Sequence, residues 1–356
     1  MALASGAAFA DDWTDVLAKA RQEGTVVVHG APGRSYNAAL VAAFNKAHPD
    51  IKVLFSGSSG ATEIAKVLRE RQAGIYGWDV WVSGPTGAIG GAKEARFLAP
   101  LRPVLRPETI ADDKWSGGFE FGWLDTEKKY FYAFDGTIQQ PVMVNWDVVS
   151  RNDLATLADL LKPQFVGKIV WHDPRLAGTG NGTSQTIFHN LGEQALIALY
   201  KQKVVYTTNG HQMAEWIVRG RYPIAIGVQP SELVDFQSQG LGKNVGALPD
   251  DYYKEEQISV GFGNVGLVDR APHINAATVY INWLLSKEGQ EAWVKVPRNS
   301  RRTDVVPAFP ELTPKKDRDY FVGQAERFTE ERLRLQRVAK QVIDGAPPRG
   351  DTDAAR

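Results

Sequence analysis

Trp13, Val16, Leu17 and Ala20 recur at helical spacing, and Thr25 to His29 come next as a β-branched run closed by Gly30. The pattern predicts a helix and then a buried strand. Tyr36, Leu40, Ala43, Phe44 and Ala47 again share one helical face, Pro49-Asp50 stops them, and Ile51 to Phe55 is a second apolar run ending near Gly57. Ile64, Val67 and Leu68 predict a helix over 62–72, and Trp78 to Val82 a third strand. Strand and helix alternating in this way make a parallel sheet with right-handed crossovers the economical arrangement.

From Trp115 to Tyr132 the chain turns aromatic and loop-like, and 130–134 and 141–145 read as extended segments with no helix between them, as in a crossing between lobes. A second α/β set comes after them. Helices are predicted over 154–161, 184–199 and 213–218, and strands over 168–171 and 222–227. Residues 257–268 are extended and glycine-punctuated, a return crossing. An apolar helix over 275–285 and a charged helical tail over 314–344 complete the pattern, with a frayed end beyond Gly345. At 356 residues the chain exceeds what one core of roughly 250–300 residues holds, so two α/β lobes are expected.

Charge and composition then narrow the function. Lys plus Arg and Asp plus Glu are equal at 41 each, so no net field draws the chain to nucleic acid or to an anionic membrane. No segment approaches the run of about 20 apolar residues needed to span a bilayer. Met1 to Ala10 is small and apolar and ends in Ala8-Phe9-Ala10, which reads as the tail of a signal peptide cleaved before Asp11; a loose cytosolic N-terminus is the alternative. Cysteine is absent, which removes disulfides, thiolate metal sites, a cysteine nucleophile and a lipid-modified cysteine together. The expectation is a soluble, exported periplasmic protein that is not a lipoprotein.

Open α/β sheets bind ligands beyond the carboxyl ends of their strands, where helix N-termini present unpaired N–H groups. The loops at those places supply the candidate ligand-binding residues. In the first lobe they are Arg34, Ser35 and Tyr36 after strand one, Ser58, Ser59 and Gly60 after strand two, and Ser83 and Thr86 after strand three. In the second they are Asn145, then Arg175, Thr179, Asn181 and Thr183 along Asp173–Ser184, and Gln229. Hydroxyls and bare glycine backbone at a helix start suit an anion, with Arg34 or Arg175 as counter-charge. Any one such loop alone reads as an ordinary helix cap, and it is their recurrence at equivalent strand ends that points to a ligand cleft. Trp78, Trp81 and Tyr36 are candidates for flat contacts, although Trp81 lies within a strand and suits the core as well.

Catalytic and cofactor motifs fail. Gly261-Phe262-Gly263-Asn264-Val265-Gly266 matches the dinucleotide fingerprint in letters, but Leu267-Val268-Asp269-Arg270-Ala271-Pro272 behind it reads as strand and stop rather than the helix that fingerprint needs. Gly57-Ser58-Ser59-Gly60 has its second glycine one position too close for a nucleophile elbow. The six histidines are too scattered for a zinc site, and His273 beside Pro272 reads as a capping or turn residue. No cofactor, metal or catalytic residue is nominated.

Several stretches together resemble the bacterial extracellular solute-binding proteins of ABC importers, specifically the type II periplasmic group that includes the ferric-iron binders. They are 44–53, Ser58-Ser59-Gly60, Gly77-Trp78-Asp79-Val80, Val166-Gly167-Lys168-Ile169 with Asp173-Pro174, and the late run Ala271-Pro272-His273, Ala276-Ala277 and 282–290. The resemblance extends from about Thr25 to Asp304. It implies a Venus-flytrap α/β fold of two lobes, each an open, mostly parallel sheet flanked by helices, in a monomer that delivers a small ligand to a membrane permease. The lobes expected are 11–137 with 258–300, and 138–257, with 1–10 as signal-peptide remnant and 301–356 as a C-terminal helical segment packed on them.

Ferric-binding relatives typically use an adjacent tyrosine pair from the second lobe, often with His and Glu from the first. Here Ile224-Ala225-Ile226-Gly227 runs into Val228-Gln229-Pro230 without one, and Ser83-Gly84-Pro85 stands where the acidic ligand belongs. Tyr252-Tyr253 is a pair, but among Asp250, Asp251 and Glu255 it reads as a surface loop. The expected ligand is therefore a small organic anion, such as a phosphonate, a phosphorylated compound or a carboxylate. A ferric carrier is the alternative, and an enzyme on a similar scaffold the second.

Overall fold

The computed structural model describes residues 5–30, 34–57, 60–85, 88–295, 298–315 and 317–345. The chain forms two compact units. One comprises Met1–Thr137, Ile258–Lys315 and Gln324–Arg327, and the other Ile138–Gln257, Lys316–Gly323 and Phe328–Arg356.

The first unit is built on β1 (Thr25–Gly30), β2 (Lys52–Gly57), β3 (Val80–Val82), β4 (Leu98–Ala99), β5 (Phe131–Ala133) and β13 (Asn264–Val268). The order is β2-β1-β3-β13-β4, with β5 also on β13. β1 pairs in parallel with β2 and β3, while β13 runs antiparallel to β3. Val26, Val28, Val53, Val80 and Val82 build the core with helices α1 (Ser5–Glu23), α2 (Arg34–Ala47) and α7 (Ile274–Leu284). Helix α3 (Gly60–Gln72) comes after β2, and α8 (Lys287–Trp293) after α7. The helix α1 runs unbroken through Ala10-Asp11, and its residues Trp13, Val16 and Leu17 pack against the core. Glu23, in its last turn, caps α7 from outside by accepting from the N–H of Asn275 (3.3 Å) and Ala276 (2.7 Å). The two-residue strand β6 (Thr137–Ile138) marks the point where the chain passes from the first unit to the second.

The second unit holds β7 (Val142–Asn145), β8 (Ile169–His172), β9 (Val205–Thr207), β10 (Ile224–Ile226) and β11 (Val245–Ala247), in the order β11-β7-β10-β8-β9. Strands β9 and β10 both run parallel to β8, and β7 is antiparallel to β10. Alternation explains the near-continuous apolar strands: Val142, Val144, Ile169, Trp171, Ile224 and Ile226 enter one core, while Met143, Val170 and Ala225 enter another on the opposite face. The unit's helices are α4 (Thr179–Tyr200), α5 (Gly210–Val218), α6 (Pro230–Ser238) and α9 (Thr329–Asp344).

Several expectations shift. The third strand starts at Val80, because Trp78 is buried and donates its indole N–H to Glu70 (2.7 Å). Neither Trp78 nor the fully buried Trp81 is open to a flat ligand contact. Residues 257–268 form two strands, β12 (Glu255–Ser259) and β13, joined by a tight turn, so the Asn264-Val265-Gly266 half of the fingerprint-like motif is strand and the strand continues through Val268. The tail is not helical from 314: β14 (Asp319–Phe321) pairs with β12 first, and the helix begins at Thr329. The end beyond Gly345 lies outside the described residues. His273 stands at the N-cap position of α7 but its side chain makes no capping bond to the helix; its N–H and Nδ1 meet the buried Asp79 carboxylate at 2.9 Å each.

Candidate functional site

In the first unit the register Gly30↔Gly57 and Gly30↔Val82 sets the carboxyl ends of three parallel strands level. Helices α2 and α3 start just beyond them. At Gly30 a Cβ would stand 2.1 Å from Cζ of Phe55, so only glycine closes that strand without displacing the ring. Arg34, Ser35 and Tyr36 form the first turn of α2, and Gly60 opens α3. Ser58, Ser59 and Thr86 lie outside the described residues. Ser83 is buried, and its backbone exchanges hydrogen bonds with Asn264: Ser83 N–H to Asn264 O (3.2 Å), and Asn264 Nδ2 to Ser83 O (3.0 Å). The antiparallel strand β13 thereby brings the turn 260–263 to this same edge.

The second unit repeats the device. Trp171↔Ile226 and His172↔Thr207 level the ends of β8, β9 and β10, and α4, α5 and α6 begin beyond them. Helix α4 starts five residues earlier than periodicity suggests, which moves Thr179, Asn181 and Thr183 from loop into helix. A Cβ on Gly180 would lie 2.0 Å from the carbonyl oxygen of His172, so the first turn of α4 packs directly on the end of β8. Gly227, at φ +87°, turns the chain out of β10 beside His172 and Thr179. The N-cap residue of α4 is Gly178, and among the described residues no side chain caps the helix. Gly182 is the first to reach an i−4 carbonyl, that of Gly178 at 3.0 Å. The amides of Thr179, Gly180 and Asn181 stand outside the helical ladder, which makes this an opening for an anion.

Other candidate residues are committed to the protein itself. The Thr183 hydroxyl donates to Gly180 O (2.9 Å) and accepts from the Trp171 indole (3.1 Å), bracing the α4 start from below. Asn181 donates to Arg332 O (3.2 Å). Asn145 is buried and spends its amide on Ile217 O (2.8 Å), which ties β7 to α5. The N–H of Gln229 at the N-cap of α6 donates to Glu232 (3.0 Å), and that carboxylate also covers the start of α5, where a Cβ on Gly210 would collide with it. The α5 start is thus filled by an anion of the chain's own.

Arg175 is not a free counter-charge. Its guanidinium forks onto Asp173 (Nη2–Oδ2 2.6 Å) and reaches Asp344 (2.5 Å). Burial works against the Asp173 carboxylate, but the Arg175 side-chain and backbone bonds outweigh it and hold its pKa below the usual range. Asp173 in turn raises the Arg175 pKa.

The tyrosine pair is a correction as well. Tyr253 is turned into the core with 5% exposure, and Tyr252 donates its hydroxyl to Leu154 O (3.1 Å). Burial pushes the Tyr253 phenol up, away from phenolate. Arg318 donates to the carbonyls of Asp250 and Tyr253 and so ties down the backbone of the pair. Among the described residues no group of three or more His, Asp or Glu side chains is placed to hold a metal ion, and no helix is long and apolar enough to cross a membrane.

Residues 29–291, including both sets of level strand ends, match the bacterial extracellular solute-binding proteins. The chain belongs to that family. A relative described as an uncharacterized protein of Haemophilus influenzae is 24% identical over 283 residues, 78% of each chain. Among solved structures this solute-binding protein is similar to Trichodesmium FutA (IdiA), in complex with iron and citrate, at 17% identity and TM-score 0.70, covering 90% of this chain and 99% of that one. It is also similar to AfuA of Actinobacillus pleuropneumoniae, with fructose-6-phosphate bound, at 21% identity and TM-score 0.60, covering 91% and 99%. These likenesses establish the type II periplasmic-binding-protein fold.

Proposed function

We propose that this solute-binding protein works in the periplasm as the receptor of an ABC importer, and that its cargo is a small organic anion that it hands to the membrane permease. The uncapped start of α4 carries the reading: glycine backbone, amides outside the ladder, and a seat on the end of β8. A phosphonate, phosphate ester or carboxylate supplies the acceptor oxygens such a helix start lacks. AfuA with fructose-6-phosphate is a protein of the same fold whose bound ligand has that chemistry.

A ferric carrier is the second reading, favoured by the likeness to iron-bound FutA. Ferric ion needs hard anionic oxygens, phenolates among them. Against it stand the inward turn of Tyr253 and the use of Tyr252 within the fold. The decisive experiment is a thermal-shift screen of phosphonates, phosphorylated sugars and carboxylates beside Fe(III) with and without citrate. A true ligand at 100 times its Kd adds about 2.7 kcal/mol of stability. Stabilisation by anions without metal supports the proposal. Stabilisation by Fe(III) alone, with a tyrosinate charge-transfer band, replaces it with the ferric reading.

A further inference from the structure

The second sheet has a positively charged edge opposite the one where α4, α5 and α6 begin. Lys168 stands just before β8, Lys203 before β9, Arg221 before β10 and Lys243 before β11, and Lys201 closes α4 on the way to β9. Those four strands run the same way, so the residues ahead of them collect at one edge. Backbone bonds lace the loops side by side: Trp146 N–H to Asn244 O (3.0 Å), Asn145 N–H to Pro223 O (2.8 Å), Ile224 N–H to Lys168 O (3.4 Å) and Gly167 N–H to Gln202 O (2.8 Å). With strands about 4.8 Å apart, the row is roughly 19 Å long.

All five of these cations are exposed, and among the described residues none of them has a carboxylate in ion-pair range. The carboxylates nearby do not balance them: Glu215 is bound to Arg219 (2.9 Å), Asp147 accepts from Asn244 Nδ2 (2.5 Å), and Asp153 is exposed two residues beyond Arg151. The chain as a whole is neutral, with 41 residues of each sign, so the edge is a local excess of positive charge. Apolar side chains lie on the same loops with much of their surface in water, Val148 at 56%, Leu241 at 48% and Val166 at 41%. Arg151 covers the half-buried Trp146 ring at 4.2 Å from its centroid, and Arg221 lies by Trp216 (5.2 Å) and Tyr222 (5.5 Å). Lys203 has a φ of +54°, so this turn carries a lysine where glycine would be less strained.

We propose that this edge of the second unit docks on an anionic phospholipid surface, which brings the protein to the membrane with the α4 start at the other end of the same strands. The inference goes beyond the reading of the cargo and does not depend on it. Ammonium and guanidinium groups on long side chains, spread over separate loops, match headgroups that move to meet them. A folded acidic partner needs fixed, complementary geometry instead. Trp, Tyr and short apolar side chains beside basic ones are the composition that settles at a bilayer interface. Each basic residue near such a surface raises partitioning about fivefold, and the attraction fades within a Debye length of about 10 Å at 0.1 M salt.

Vesicle flotation of the full chain tests it, with phosphatidylglycerol mixed into phosphatidylcholine against phosphatidylcholine alone. At low ionic strength the wild type is expected to partition about tenfold or more in favour of the anionic vesicles, and raising the salt should remove the difference. Lys168→Gln, Lys201→Gln and Lys243→Gln together should cut that partitioning about tenfold or more, with the melting temperature unchanged. Lys52→Gln, Lys66→Gln and Lys287→Gln, on the first unit, remove the same charge and should change it less than about threefold. No preference for the anionic vesicles, or equal losses in both triple variants, overturns the inference. Binding to permease-bearing vesicles of phosphatidylcholine alone that is lost in the first variant also overturns it, and makes the edge a contact for an acidic protein surface. Solute affinity in solution is expected to be the same in both variants, so a cargo screen that fails leaves this test standing, and a failure here leaves the cargo reading intact.

Discussion

Nε2 of His189 on α4 lies 2.9 Å from Oε1 of Glu331 on α9, and this contact fastens the C-terminal helix to the second unit. Nδ1 of the same ring faces Glu255 on β12 at 2.8 Å, and Phe321 stacks on it with centroids 4.2 Å apart. A neutral imidazole donates from one nitrogen only, so two carboxylates favour the doubly protonated ring.

This pair gives stability a pH dependence of definite sign. Burial lowers the His189 pKa, but the bonds from Glu255 and Glu331 outweigh it and raise it above the ordinary value. A raised folded-state pKa contributes stability that is full below the unfolded value of about 6.5 and is lost as pH rises through the folded value. His189→Gln should therefore lower the melting temperature most below pH 6.5, and the gap to wild type should narrow on the alkaline side. Melting curves from pH 5 to 9 check this; a gap that is constant with pH would refute it.

Arg301 is a buried guanidinium held by neutral groups. It donates to Ala133 O (3.0 Å), Ser116 O (2.7 Å) and Gly118 O (2.9 Å), between the rings of Trp115, Phe121 and Tyr132. Burial lowers its pKa. Arg301→Met strands those carbonyls and is expected to cost about 3 kcal/mol or more. Arg301→Lys recovers little, because a point ammonium cannot span the fork. Urea midpoints at unchanged m-value measure both.

Gly180→Ala tests the α4 start directly. The new methyl meets the His172 carbonyl and pushes the first helical turn off β8. Affinity for the anion giving the largest thermal shift should fall at least tenfold. Affinity within twofold of wild type would place the charge elsewhere.

The central strands were legible where they are buried and read as β-branched runs, and Thr25–His29 is β1 almost to the residue, whereas the short, partly buried β9 and β11 were not. The start of α4 was not, because Thr179-Gly180-Asn181-Gly182 has no apolar period. Tertiary contacts hold it instead, through the close seat of Gly180 on β8 and the Trp171–Thr183 bond. The tyrosine pair misled for a similar reason. Its acidic neighbours suggest a surface loop, while Arg318, 65 residues on, ties down the backbone of the pair and Tyr253 turns inward.

By itself the sequence determined the α/β class, the solute-binding family and the edges on which ligand chemistry belongs, since periodicity, turn residues and motif order are local properties of a chain. Only the tertiary structure decided which polar groups at those edges are spent. Arg175 and Asn145 are occupied by Asp344 and Ile217, partners distant in sequence, and Thr183 by Trp171 and Gly180. The reason is physical: a donor's availability depends on what packs against it, and packing joins residues that the sequence keeps far apart.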